Sequence, residues 1–79
     1  MDKEFRHKQI LAVANNLSFY FQSYWSIYEK IGWVPLSDVE DILEQFHRDK
    51  LVREFGDLYR INILTLIKYE IRSSLWQKR

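Results

Sequence analysis

The sequence predicts a small, mostly α-helical domain that carries one β-hairpin, and three observations lead to this fold class. Apolar residues recur at helical spacing through residues 3–31. A helix stop signal and a helix start signal stand at Gly32 and Ser37, and Gly56-Asp57 separates two short runs of β-forming residues. A chain of 79 residues has room for one hydrophobic core, so we expect a single domain over its whole length.

Residues 3–31 form the first predicted helical region. One apolar stripe advances in steps of three and four, which is typical of a core-facing helix: Ile10, Val13, Leu17, Tyr20, Tyr24, Ile27 and Ile31. A second stripe lies beside it: Leu11, Ala14, Phe21, Trp25 and Tyr28. The unbroken phase favours one long helix. The run Asn15-Asn16-Leu17-Ser18 favours a break into two, because asparagine has a low helix propensity.

The next helix is predicted to begin at Ser37 and to end near Asp49. Ser37 and Glu40 have the spacing of a capping box, in which the serine oxygen accepts a backbone N–H at the start of the helix. Acidic residues in the first turn also suit the positive end of the helix dipole. The predicted core face consists of Val39, Ile42, Leu43 and Phe46.

Two short strands are predicted to follow, residues 51–55 and 58–61, joined at the Gly-Asp turn. The last segment, residues 62–77, fits two patterns. Its isoleucines alternate as in a strand, and its apolar residues also fall on one helix face. We favour the helix, because a strand of that length would be unusually long.

The stretch from Ser26 to Ile61 resembles the second half of a winged helix-turn-helix domain. Four groups of residues carry the resemblance: Ile31-Gly32, Ser37-Asp38-Val39, Ile42-Leu43 with Phe46, and Asp49-Lys50-Leu51-Val52. Members of that superfamily often have glycine where Lys50 stands. The resemblance implies that the exposed face of the third helix would enter the DNA major groove.

Mapped onto this chain, that face differs from the surface of a typical DNA reader. Its residues would be Asp38, Asp41, Gln45 and Arg48, with Glu44 beside them. Residues 37–60 have a net charge of −3, whereas DNA binding depends on Lys and Arg that neutralise phosphates. A small dimeric transcriptional regulator is the alternative interpretation. In it, Gln45 and Arg48 would read bases, and Arg53 and Arg60 would contact phosphates.

The favoured interpretation is a non-enzymatic protein-interaction module, an adaptor or inhibitor. The acidic helix suits a protein partner better than DNA. The chain also has three Trp, five Tyr and five Phe, and we expect one small core to leave some of these rings exposed. The predicted protein-binding residues are Asp38, Asp41, Glu44, Tyr24, Trp25, Trp33 and Trp76. Some of these rings are also candidates for a homodimer interface.

Other functional classes have little support in the sequence. The chain has no Cys, and neither His7 nor His47 has a partner at metal-ligand spacing, so we expect no metal site and no cofactor. There is no phosphate-binding glycine loop and no nucleophile motif, so we expect no catalytic residues. No apolar run is long enough to span a membrane, and the charged N-terminus is unlike a signal peptide. These features predict a cytoplasmic protein.

Overall fold

The structure is a computed structural model that describes residues 2–65. In chain order its elements are α1 (Lys3–Asn15), β1 (Gln22–Ser23), α2 (Tyr24–Ile31), α3 (Leu36–Arg48), β2 (Val52–Phe55) and β3 (Leu58–Ile61). Residues 63–65 are also helical. The predicted class, mostly helical with a small hairpin, is confirmed, and the arrangement is compatible with a winged-helix-like fold. The rest of the helix predicted over residues 62–77 lies outside the described residues.

The first predicted helical region, residues 3–31, divides into two helices, which was one of the two predicted alternatives. α1 ends at Asn15, and the neighbouring Asn16 donates from Nδ2 to the carbonyl of Ala12 at 2.8 Å. α2 begins only at Tyr24. Its N-cap is Ser23, whose Oγ accepts a hydrogen bond from the Ser26 N–H at 3.1 Å. Between the two helices lies β1, a strand that the sequence did not predict. The single long helix was therefore wrong.

This break moves several predicted core residues to the surface. Val13 and Ile27, from the first apolar stripe, are fully buried. Tyr20 belongs to the same stripe but lies in the connection between α1 and β1, and its side chain is 66% exposed. Leu11 and Trp25, from the second stripe, are also exposed. The helical phase of the sequence thus continues through a segment that is not helical.

α3 begins one residue before the predicted start. Pro35 occupies the N-cap position, where no side chain makes a capping hydrogen bond. The Pro35 carbonyl accepts from the N–H groups of Asp38 and Val39, at 3.0 and 3.1 Å, and so opens the helix. Ser37 already lies inside the first turn, so the predicted capping box with Glu40 was wrong. The end of α3 at Arg48 agrees with the prediction.

The three strands form an antiparallel sheet in the order β1-β3-β2. The hairpin turns at Gly56-Asp57 as predicted, and Gly56 adopts a φ of 62° that an L side chain rarely takes. Lys50, just before β2, also has a φ of 62°. This is the position where winged helix-turn-helix proteins often have glycine.

The core lies where α3 packs against α1, α2 and β2. α3 contributes the four predicted residues, which confirms its core face. The buried apolar residues are Val13, Ile27, Val34, Val39, Ile42, Leu43, Phe46, Val52 and Tyr59. Because α3 touches both the other helices and the sheet, its buried face fixes the direction in which its remaining side chains point.

We expect Ser23→Ala to lower the free energy of unfolding by about 1 kcal/mol, because it removes the acceptor for an N–H group at the start of α2. Ser37→Ala should change the stability by less than about 0.5 kcal/mol, since Ser37 caps no helix. Denaturant melts of both variants and the wild type measure the difference. A larger loss for Ser37→Ala than for Ser23→Ala would contradict this assignment of the helix starts.

Candidate interaction surfaces

One side of α3 borders a hollow beside α1. The hollow is lined by Arg6, Ile10, Asp41, Ile42, Gln45, Phe46 and Arg48. Three residues of the predicted DNA-reading face are therefore neighbours here, as helical spacing predicted. They lie next to α1 and Arg6 rather than on an isolated convex surface.

Asp38 has a structural role that the sequence analysis did not foresee. Gln9 of α1 is fully buried, and its Nε2 donates to Asp38 Oδ2 at 2.9 Å. The other end of the same amide accepts from Arg6 Nη1 at 3.1 Å, and that nitrogen lies 3.8 Å from Asp38 Oδ1. Asp38 was predicted to be exposed, but its side chain is only 22% exposed, because its carboxylate satisfies a buried amide and joins α3 to α1. Its predicted part in binding a partner stays a prediction.

Gln45 and Arg48 are exposed but are bonded to each other. Arg48 Nη2 donates to Gln45 Oε1 at 3.1 Å, and Gln45 Nε2 lies 3.3 Å from both carboxylate oxygens of Asp49. Base reading by either side chain would first require these contacts to break. The network also keeps the charge of Asp49 close to that of Arg48.

The other two DNA-binding candidates lie elsewhere. Arg53 and Arg60 face each other across the β2–β3 ladder. Their strand neighbours Val52 and Tyr59 are buried against the core, and successive strand residues point to opposite faces of a sheet. Both arginines therefore project away from α3. The structure does not bring the four DNA-binding candidates together on one surface.

A second side of α3, with the hairpin, forms an acidic surface. Burial raises the pKa of Tyr59 from 10.0 to about 12, and the nearby charges of Glu54, Glu44 and Glu40, with a hydrogen bond to Glu54, add to the rise. The three carboxylates therefore lie near one phenol group. Asp41 is also exposed, but it borders the hollow beside α1. We call Glu40, Glu44 and Glu54 the acidic face.

The acidic face has one cationic candidate beside it. His47 Nδ1 lies 3.9 Å from Glu54 Oε2, so a protonated His47 would pair with that carboxylate. The remaining carboxylates, those of Glu40 and Glu44, take part in no ion pair within residues 2–65. The surface is therefore negatively charged even when His47 pairs with Glu54.

Exposed aromatic rings form a trio on α2. Trp25 stacks on Tyr24 with ring centroids 6.1 Å apart, and it meets Tyr28 edge to face at 5.9 Å. Tyr24 and Tyr28 are half-buried against the core, whereas Trp25 is 48% exposed. The backbone N–H of Tyr24 donates to the carbonyl of Asp57, which places the start of the trio beside the hairpin turn.

Trp33 lies apart from this trio. Its ring is 50% exposed and lies 6.0 Å from that of Phe5, between the connection that precedes α3 and the start of α1. Trp25 and Trp33, two of the predicted protein-binding residues, are thus both exposed, and their part in binding stays a prediction. The last aromatic candidate, Trp76, lies outside the described residues.

Sequence reasoning missed two sets of surface residues. It did not group Glu40 and Glu54, which are fourteen positions apart, because only the packing of β2 beside α3 joins them. It also missed Phe21 and Phe55, whose exposed rings lie 6.3 Å apart. Strand alternation in β2 places Phe55 on the same side as Arg53, so this position could be predicted from the sequence. The contact of Phe55 with Phe21 could not be predicted, because it depends on the pairing of β1 with the sheet.

Among residues 2–65, no three His, Asp or Glu side chains are grouped to hold a metal ion. Within the same residues, each helix is too short or too polar to cross a membrane. Comparison with protein-family models, with curated proteins and with solved structures returned no match to this chain.

We expect Asp38→Ala to lower the free energy of unfolding by about 1–3 kcal/mol, because it leaves the buried amide of Gln9 without its acceptor. Asp41→Ala is the matched control, one helical turn away on the same side of α3. Its carboxylate is exposed, so its removal should change stability by less than about 0.5 kcal/mol. Urea melts of the two variants provide the test, and equal losses would contradict the structural role of Asp38.

We expect the free energy of unfolding to fall as the pH rises from about 10 to about 12. Tyr59 loses its proton at its ordinary pKa of 10.0 in the unfolded chain, but only near 12 in the folded protein. Its contribution is therefore complete below pH 10 and is lost as the pH rises through 12. Urea melts at a series of alkaline pH values should show a smaller fall for Tyr59→Phe. Parallel curves for the two proteins would contradict this.

Proposed function

We propose that this chain is a non-enzymatic protein-interaction module of winged-helix type, an adaptor or inhibitor that binds its partner through the acidic face. The observation that carries the proposal is the grouping of three acids where α3 meets the hairpin. Glu40 and Glu44 lie one turn apart on α3, and Glu54 of β2 lies 3.9 Å from His47 of the same helix. A surface of this kind favours a partner with a basic surface, because complementary charge speeds the encounter and selects against wrong partners.

Duplex DNA is a poorer fit to the same surface. Phosphates would meet the carboxylates of Glu40 and Glu44, and affinity for DNA depends on the opposite charge. Gln45 and Arg48 are bonded within α3, and the two arginines of the hairpin point away from it. These positions give the DNA-binding alternative less support than the protein-binding proposal.

Trp25 supplies an apolar contact for a protein partner. Interfaces are enriched in Trp and Tyr, and a few such rings often carry much of the binding energy. The aromatic trio and the acidic face both border the hairpin, since Tyr24 bonds to its turn and Glu54 lies in β2. We therefore infer a partner whose basic surface adjoins a pocket or groove that accepts the Trp25 ring.

The proposal is tested by charge reversal on the acidic face. We expect Glu40→Lys with Glu44→Lys to abolish capture of specific partner proteins from cells that express this chain. Binding of the same purified partners should weaken at high salt, because exposed charges are screened there. The matched control is Glu4→Lys with Glu29→Lys, which reverses two exposed acids on α1 and α2 and should leave capture unchanged.

A parallel assay with fluorescent duplex DNA separates the two interpretations. We expect wild-type binding no tighter than about 10⁻⁴–10⁻⁶ M at physiological salt, the usual range for non-specific contacts, and stronger binding after the charge reversal. A nanomolar, sequence-selective duplex complex that is lost on Arg48→Ala would overturn the protein-binding proposal.

A further inference from the structure

The outer face of the sheet carries a group of residues that the acidic face does not include. Val52 and Tyr59 point into the core, so Arg53, Phe55 and Arg60 point to the opposite side. Phe55 is 71% exposed, the largest exposure among the apolar side chains of residues 2–65. Within residues 2–65, no other helix or strand packs over Phe55 on this face.

Phe21 extends this face across the sheet. It immediately precedes β1, which pairs with β3 on the side away from β2. The Phe21 ring lies 6.3 Å from that of Phe55, and the guanidinium carbon of Arg60 lies 5.2 Å from the Phe21 centroid. Two exposed rings thus share this face with two guanidinium groups. We call Phe21, Arg53, Phe55 and Arg60 the platform.

The stability of the fold does not explain the platform. Like charges directly opposite each other on neighbouring strands destabilise a sheet, and Arg53 lies opposite Arg60. No ion pair within residues 2–65 includes either arginine. Besides its contact with the Phe21 ring, Arg60 makes one long hydrogen bond, 3.4 Å from Nη1 to the carbonyl of Ile61. The nearby acids do not neutralise the face, because Glu54 points to the inner side of β2 and Asp57 lies in the turn.

We propose that the platform binds single-stranded nucleic acid. Exposed rings on such a face stack with unpaired bases of any sequence, and arginines beside them contact the phosphates. Duplex DNA keeps its bases stacked inside the helix, so it would use the arginines but not the rings. An acidic peptide would likewise pair with Arg53 and Arg60 and leave Phe55 without a partner. The combination of rings and charges therefore favours the single strand.

The platform is separate from the acidic face, since the two project from opposite sides of the sheet. The proposal consequently goes beyond the protein-binding function and does not depend on it. Both surfaces are available at once in the described part of the chain. A protein that uses both would bring a basic protein partner to a single-stranded nucleic acid.

The experiment is a fluorescence-anisotropy titration of the full chain against a labelled oligothymidine of about 15 nucleotides, which exceeds the site of one small binding surface. Phe55→Ala should weaken binding roughly 5- to 150-fold, the usual effect of removing one ring that stacks on a base. Phe5→Ala is the matched control, because Phe5 is also an exposed ring but lies on α1. It should leave binding unchanged.

The salt dependence gives a second readout. Two phosphate contacts predict that log K falls with log salt with a slope of about −1.4, and Arg53→Gln should reduce its magnitude by about 0.7. Lys8→Gln removes an exposed charge from α1 and should leave the slope unchanged. Thermal melts establish that each variant is folded, which we expect since Phe55 and Arg53 are exposed.

Three results would overturn the proposal. The first is wild-type protein that binds the single strand no better than a duplex of the same length. The second is single-strand binding that Phe55→Ala does not weaken. The third is equal binding of a polyglutamate peptide that depends on Arg53 but not on Phe55, which would make the platform a site for an acidic protein.

Discussion

The burial of one face of α3 is the interaction on which the rest of the structure depends. Val39, Ile42, Leu43 and Phe46 are the largest contribution of any one element to the described core. α3 packs against α1, α2 and β2, so these side chains hold the helices and the sheet together. Once this face is buried, the remaining side chains of α3 point either toward α1 or toward the hairpin. The side next to α1 anchors the fold through Asp38, and the side next to the hairpin presents Glu40 and Glu44.

The same packing determines which face of the sheet is buried and which is exposed. Val52 and Tyr59 cover the core, so the alternation of strand residues forces Arg53 and Phe55 outward. Negative charge therefore gathers where the sheet meets α3, and positive charge gathers on the face that no described element covers. A net charge of +1 hides this separation completely. The functional proposals rest on the separation, because each surface selects a different kind of partner.

The exposed aromatic residues have a physical reason as well. A small domain buries only about 60% of its unfolded surface, so its core cannot hold many large rings. Here Phe46 and Tyr59 are the buried rings of the described chain. The side chains of Trp25, Trp33 and Phe55 are 48%, 50% and 71% exposed, and exposed apolar groups of this kind are typical of interaction sites. Their clustering with charged neighbours, rather than their number alone, distinguishes interaction surfaces from scattered apolar residues.

The elements that depend on local signals were predictable from the sequence. The spacing of Val39, Ile42, Leu43 and Phe46 gave the core face of α3, Gly32 gave the end of α2, and Gly56 gave the hairpin turn. Each of these depends on backbone preference or on periodicity within a few residues.

The features that join distant residues depend on long-range contacts and were visible only in the tertiary structure. β1 has two residues and no pattern of its own, and it exists because Gln22 and Ser23 pair with β3. The carboxylate of Asp38 meets Gln9, which is twenty-nine positions away, and this contact gives a predicted binding residue a structural role. The opposite faces taken by Arg53 and Gln45 likewise follow from how the sheet packs on α3. Local preferences specify which elements form, whereas the surface that a side chain joins depends on long-range contacts that have no local signature.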